Sequence, residues 1–170
     1  MRKLLDRFYG LLMAGAAAAM VAAFVAVMLG IVDRQLSLGL RGLDAYAGYA
    51  IAAALFLALP GTLQHGEHIR VTLVLQRLPA RARASLEWAC LLAGALLCTA
   101  LAWYACRLVW VSHLTSDVSP ASDATPLWLP QLAMAAGCVG LAVALVDACL
   151  RRLRGTEFYR SGGDAAAHVE

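Results

Sequence analysis

Apolar residues along this chain are gathered into four uninterrupted blocks separated by short polar segments. The blocks run over residues 11–32, 45–63, 88–106 and 127–146, so each is 19 to 22 residues long. At a rise of about 1.5 Å per residue, such a helix is roughly 28–33 Å long, which matches the hydrocarbon core of a bilayer. A segment in lipid must satisfy its backbone groups internally, and the pattern therefore predicts four transmembrane helices.

The first block could also be a cleavable signal peptide, because Arg2 and Lys3 precede it and small residues fill 14–19. The apolar core of a signal peptide is usually about 7–15 residues long. Here the apolar run continues well beyond any cleavage site among those alanines. The length favours a retained helix.

Basic residues are distributed unevenly among the segments that connect the blocks. The amino end, the second loop and the tail together carry eleven Lys and Arg residues, against three in the first and third loops. Because basic residues in short loops stay on the cytoplasmic side, both termini should face the cytoplasm, and loops 33–44 and 107–126 should face outward. Membrane lipids are sufficient partners for these basic clusters, and no nucleic acid is needed to explain them.

The composition agrees with a membrane protein. Hydrophobic residues make up 62% of the 170 residues and charged residues 15%, and the mean hydropathy is +0.71. A soluble domain is closer to half apolar and a quarter charged. The five cysteines are odd in number and include no Cys-x-x-Cys pair, so we interpret them as small packing residues.

The sequence thus predicts an all-α integral membrane domain over residues 1–155, with helices at about 11–32, 45–63, 80–107 and 127–150. Residues 156–170 are predicted to form a disordered cytoplasmic tail.

The segment 69–78 does not look like an ordinary loop. Val71, Val74, Leu75 and Leu78 are spaced as one face of a helix, and polar residues lie between them. This pattern predicts a short amphipathic helix at the membrane surface between the second and third spans. Residues 69–73 also alternate like a strand, but an exposed strand edge would be poorly satisfied there.

Ionisable residues are scarce within the predicted transmembrane helices. The middles of the four blocks contain no Asp, Glu, Lys, Arg or His, although proton relays, haem ligation and intramembrane metal sites need such groups. His65 and His68, together with Glu67, have a spacing that a metal could use, but no further ligand is evident and polar anchoring is the simpler explanation. We therefore expect neither an enzyme nor a cofactor-binding chain, and we expect no metal, catalytic or substrate-binding residue in it.

Two stretches resemble a known family. Residues 66–71 read Gly-Glu-His-Ile-Arg-Val and are followed by Leu78-Pro79 and a basic run. Later come Ser119-Pro120, residues 125–130 with the sequence Thr-Pro-Leu-Trp-Leu-Pro, and Gly137. In this order the motifs resemble the small permease (DctQ-type) family of the TRAP, or tripartite ATP-independent periplasmic, transporters over roughly residues 1–155. Members of that family often have an aromatic residue and a glutamate at the start of the second helix, where this chain has Leu43-Asp44.

The resemblance implies a bacterial inner-membrane subunit of a binding-protein-dependent symporter for organic acid uptake. Its partners would be a large permease subunit, which holds the substrate and sodium sites, and a periplasmic substrate-binding protein. The small subunit would scaffold the large one, and no substrate-binding residue carries over to this chain. Two classes remain as alternatives: a stand-alone small channel or exporter, and a membrane redox or assembly factor.

Two sets of contact residues follow from placement. Arg41, Asp44, Asp117 and Asp123 are the candidates for docking the binding protein on the outer side. The candidates for contacts at the cytoplasmic membrane surface are Glu67, His68, Ile69, Arg70, Val71, Leu75, Arg77 and Leu78.

Overall fold

A computed structural model describes residues 2–64, 79–121 and 123–153 of the chain. This part forms four helices: α1 (Arg2–Leu36), α2 (Leu43–Gln64), α3 (Ala80–Leu114) and α4 (Trp128–Leu153). All four are long and apolar enough to cross a membrane, and no strand occurs in the described ranges. The predicted all-α class with four membrane-spanning helices is therefore confirmed.

The helices run alternately up and down, and contacts at both ends show this directly. At one end the start of α1 meets the end of α2, since Tyr9 and Leu63 lie in one buried cluster with Ala144 of α4. At the other end the end of α1 meets the start of α2 through Arg34 and Asp44. We call the first the terminal end, because the chain begins and α4 finishes there, and the second the loop end.

Helix α4 is the centre of the bundle. Half of the most apolar 18-residue stretch of α4 is buried inside the protein, whereas the corresponding share is 11% in α1 and in α3. It packs against α2 and α3 and touches α1, whereas α1 packs chiefly on α2. The core lies on the inward faces of these helices and is built of small residues: Ala102 and Ala105 of α3 against Ala135, Cys138 and Ala142 of α4.

Small residues are the reason that the helices approach so closely. In lipid, burial of apolar groups gives no net drive, so close van der Waals contact between backbones holds helices together. A Cβ on Gly137 would overlap the backbone carbonyl of Phe56 in α2, and one on Gly140 would lie 2.7 Å from Pro60 Cγ. Helices α2 and α4 therefore meet backbone to backbone at this crossing.

Pro60 lies inside α2, which continues through it to Gln64. Because proline has no N–H, the carbonyl of the residue four positions earlier loses its usual donor within the helix. That residue is Phe56, the same residue whose carbonyl faces Gly137. The crossing with α4 thus falls at the carbonyl that Pro60 deprives of its helical partner.

One face of α1 is lined by small residues and packs inside the chain, whereas Ala22 is exposed. Ala23 is buried, Gly15 faces Leu57 of α2, and Ala19 and Ala26 are partly covered. These residues form the contact between α1 and α2. The larger residues of α1, such as Phe24 and Val21, are left exposed on the outside.

The five cysteines all lie in described helices and are all free. Cys138 is buried in the contact between α3 and α4, Cys98 packs against the same cluster, and Cys90 and Cys106 are exposed. The predicted interfacial segment 69–78 and the predicted tail 156–170 lie outside the described residues.

Candidate partner-binding surfaces

At the loop end, a network of hydroxyl groups ties α2 to the loop between α3 and α4. The Tyr49 hydroxyl lies 2.8 Å from Ser119 Oγ and 3.4 Å from Asp123 Oδ2. One helical turn earlier, the Tyr46 hydroxyl shares a hydrogen bond of 3.1 Å with Thr125 Oγ1. These partners are 70 to 79 residues apart in the chain, so the network fixes the loop between α3 and α4 onto the start of α2.

The loop itself is shaped by backbone bonds. The Ser119 N–H donates to the Thr125 carbonyl at 2.8 Å, and the Leu127 N–H donates to the Asp117 carbonyl at 3.0 Å. This antiparallel pairing closes residues 117–127 into a compact turn. A Thr125 side-chain hydrogen bond, supported by one from Ser119, holds the pKa of Asp123 below its usual value, so this carboxylate stays charged within the network.

Gly42 brings the loop between α1 and α2 into contact with the loop between α3 and α4. Its φ of +83° belongs to the left-handed region, which favours glycine, and a Cβ there would lie 2.5 Å from Asp123 Cβ. The two loops therefore touch at this position only because residue 42 has no side chain.

A cavity of about 410 Å³ opens between these loops and the ends of α1 and α2. Its charged lining comprises Asp33, Arg34, Arg41 and Asp44. Arg34 and Asp44 form an exposed ion pair at 3.4 Å, and Asp33 Oδ1 accepts the Leu40 N–H at 2.8 Å. An exposed pair of this kind contributes little to stability, so the side chains are available to a partner.

The structure places the four outer docking candidates in two settings. Arg41, Asp44 and Asp117 are exposed at the loop end. Asp123 is partly covered and engaged by Tyr49, so it holds the loop in place rather than pointing outward. The candidates in segment 67–78 lie outside the described residues, as do His65 and His68.

At the terminal end, one carboxylate joins α3 to α4. Glu87 Oε1 accepts from Arg83 Nε at 3.2 Å, and Glu87 Oε2 accepts from an Arg152 terminal nitrogen at 2.6 Å. The Arg152 guanidinium also lies 5.7 Å from the centre of the Trp88 ring. Asp147 and Arg151, four residues apart on α4, also form an ion pair, with both side chains about three-quarters buried.

Along its outward side, α4 carries a regular apolar stripe, which we call the α4 stripe. Every exposed residue of this helix belongs to it, and the spacing alternates between three and four residues throughout. This is the heptad spacing of a helix that packs along a second, straight helix. The α4 stripe consists of Leu129, Leu132, Ala136, Val139, Val143, Val146, Leu150 and Leu153, of which Ala136 and Val139 are half-buried.

Sequence reasoning missed the Glu87–Arg152 link, the Gly42 contact and the full α4 stripe. The α4 stripe could have been predicted from the sequence, because its apolar residues alternate at spacings of three and four within a predicted helix. The other two join residues 65 and 81 positions apart, and no local pattern connects them. In the described part of the chain, no group of three or more His, Cys, Asp or Glu side chains is close enough together to hold a metal ion.

Comparison with known proteins gives one family and no individual relative. Residues 23–155 match the family described as tripartite ATP-independent periplasmic transporters, DctQ component. Neither a curated protein nor a solved structure matches the chain. The match covers most of the sequence and all of α2, α3 and α4, in agreement with the four apolar helices and the motifs at residues 66–71 and 125–130. The chain belongs to the DctQ family of small membrane subunits of the TRAP transporters.

Proposed function

We propose that this chain acts as a scaffold that binds the large permease of a sodium-driven TRAP transporter for organic acids. It also helps to dock the periplasmic binding protein. It lies in the bacterial inner membrane with both termini in the cytoplasm, an orientation supported by eleven basic residues on the terminal side against three on the other. The loop end then faces the periplasm. Sodium and solute bind to the large permease, and this chain contributes contact surfaces.

The α4 stripe carries the scaffold proposal. Helix α4 is surrounded by α1, α2 and α3 on its inward sides, yet its outward side is an apolar row of Leu and Val that only Ala136 interrupts. A row with heptad spacing fits between the side chains of one long neighbouring helix. The stripe is therefore the surface on which a helix of the large permease packs.

A matched pair of variants tests this contact. Val146 and Val27 are 44% and 46% exposed, so Val→Phe at either position adds the same bulk to an apolar surface. Lipid accommodates an added ring, whereas a packed helix does not. Val146→Phe should reduce the amount of large permease that co-purifies with the tagged chain in mild detergent, and Val27→Phe should not.

Two results would count against the proposal. If wild-type chain purifies from its host without a large permease, the scaffold role is wrong. If Val146→Phe and Val27→Phe retain the permease equally well, the scaffold role survives but the α4 stripe is not the contact surface.

Docking of the binding protein is supported by the exposed charges at the loop end. Reversal of charge at Arg41, Asp44 and Asp117 should weaken solute uptake and binding-protein association together. Arg107 is exposed on α3 outside this set, and its reversal serves as the control. Unchanged association in the triple variant would exclude these residues from docking.

A further inference from the structure

The contact between α3 and α4 at the terminal end has more positive than negative charge. Arg83 and Arg152 both bind the same carboxylate, Glu87, so the cluster has two positive charges and one negative. The neighbouring Arg151 is paired with Asp147 and adds no net charge. The cluster of Arg83, Glu87, Trp88 and Arg152 therefore sums to one net positive charge, and we call it the Glu87 clasp.

The arginines of the Glu87 clasp have N–H donors that Glu87 does not use, and Arg152 is also held in place. Arg83 uses only Nε toward Glu87, and Arg152 uses one terminal nitrogen, although each guanidinium has five N–H groups. The Trp88 ring and the carboxylate fix the position of Arg152, whose side chain is only 28% exposed. Side chains that are already ordered lose less entropy when they bind an anion.

The position of the Glu87 clasp fits a lipid headgroup. It lies at the start of the third apolar block and in the last turn of α4, at the depth where tryptophan marks the membrane interface. Leu86, next to the clasp in sequence, is 42% exposed and offers apolar surface for an acyl chain. Guanidinium groups recognise phosphate oxygens with paired hydrogen bonds.

We propose that the Glu87 clasp binds the phosphodiester group of an anionic phospholipid. The phosphate accepts hydrogen bonds from the free N–H groups of Arg83 and Arg152 and neutralises the surplus charge. Glu87 positions the two arginines and limits the site to a single negative charge. The bound lipid bridges the ends of α3 and α4 on their outer side.

Native mass spectrometry of the delipidated full chain tests this site with phosphatidylglycerol and with phosphatidylcholine of the same acyl chains. Phosphatidylglycerol adducts should predominate in the wild type. Arg83→Gln and Arg152→Gln should each weaken phosphatidylglycerol binding about fivefold. Arg34→Gln removes an arginine from an exposed pair at the opposite end and should leave the adducts unchanged.

The variant Glu87→Gln distinguishes a lipid-binding site from an ion pair with a purely structural role. Loss of the carboxylate charge should lower the melting temperature, because the ion pairs of Glu87 are lost. It should raise phosphatidylglycerol binding, because the repulsion of phosphate is removed while the glutamine oxygen can still accept from the arginines. Binding that falls in Glu87→Gln would overturn the proposal. So would equal adducts with the two lipids, an equal loss in Arg34→Gln, or stabilisation by inorganic phosphate without any by lipid.

Discussion

The crossing of α2 and α4 at Gly137 gives the sharpest test of how this bundle is held together. Gly137→Ala adds one methyl group at a position where a Cβ would overlap the Phe56 carbonyl oxygen and carbon and lie 2.9 Å from Phe56 Cβ. The obstacle is backbone, so it cannot rotate away as a side chain would. The two helices must separate, and contact is lost along the crossing.

The expected loss follows from the cost of overpacking, about 1–3 kcal/mol for an extra methylene in a well-packed core. For a chain of this length, each kcal/mol corresponds to roughly 2–4 °C in melting temperature. Alanine also has the higher intrinsic helix propensity, by about 1 kcal/mol over glycine. We therefore expect a net loss of up to about 2 kcal/mol for Gly137→Ala, which corresponds to a fall of up to about 8 °C.

Gly48→Ala in α2 is the matched control, because nothing lies within 4 Å of a Cβ at that position. It gains the helix propensity without the overlap, and its melting temperature should equal or exceed that of the wild type. The assay is thermal unfolding of both variants in the same detergent. If Gly137→Ala is as stable as Gly48→Ala, the backbone contact between α2 and α4 is not the tight junction described above.

Other changes probe the loop end. Gly42→Ala should destabilise the protein by about 1–2 kcal/mol through backbone strain alone and by more through its overlap with Asp123. Gly39→Ala has the same kind of strain (φ +74°) but open space around it. The difference in melting temperature between the two variants therefore measures the overlap. Tyr49→Phe should cost about 0.5–1.5 kcal/mol in thermal unfolding, and the same change at the exposed Tyr104 should cost nothing measurable. The lowered pKa of Asp123 means that its stabilising bonds are complete above its ordinary pKa and are lost only as the pH falls through the lowered value. Asp123→Asn should therefore lower the melting temperature equally at pH 8 and pH 5, and a deficit that disappears at pH 5 would contradict this assignment.

The helices themselves were predictable because membrane thickness imposes a length on each apolar block. The first block ends at Val32, but the helix continues to Leu36, since charged side chains at Asp33 and Arg34 can stay helical once they have left the hydrocarbon. In the same way α3 extends to Leu114, beyond Cys106. Hydropathy finds where a span lies in lipid and not where its hydrogen bonding ends.

The arrangement of the helices was not predictable, because the pattern in one helix does not say which neighbour covers it. The small residues of α1 lie in its contact with α2, but their spacing does not say which helix covers them. The link from Glu87 to Arg152 likewise depends on how α3 and α4 are rotated toward each other. Pro60 can be recognised in the sequence as a residue that removes a helical hydrogen bond, but its role at the crossing depends on the Gly137 backbone that meets the residue four positions before it.

The central position of α4 has a consequence for biosynthesis. This helix is the last of the four to leave the ribosome, and it is the helix against which α3 packs. We expect a nascent chain that stops before Trp128 to hold α1 and α2 together while α3 remains loose in the bilayer. Recognition of such an unfinished product by a membrane protease, and its disappearance once α4 is added, can be followed by pulse labelling of truncated chains.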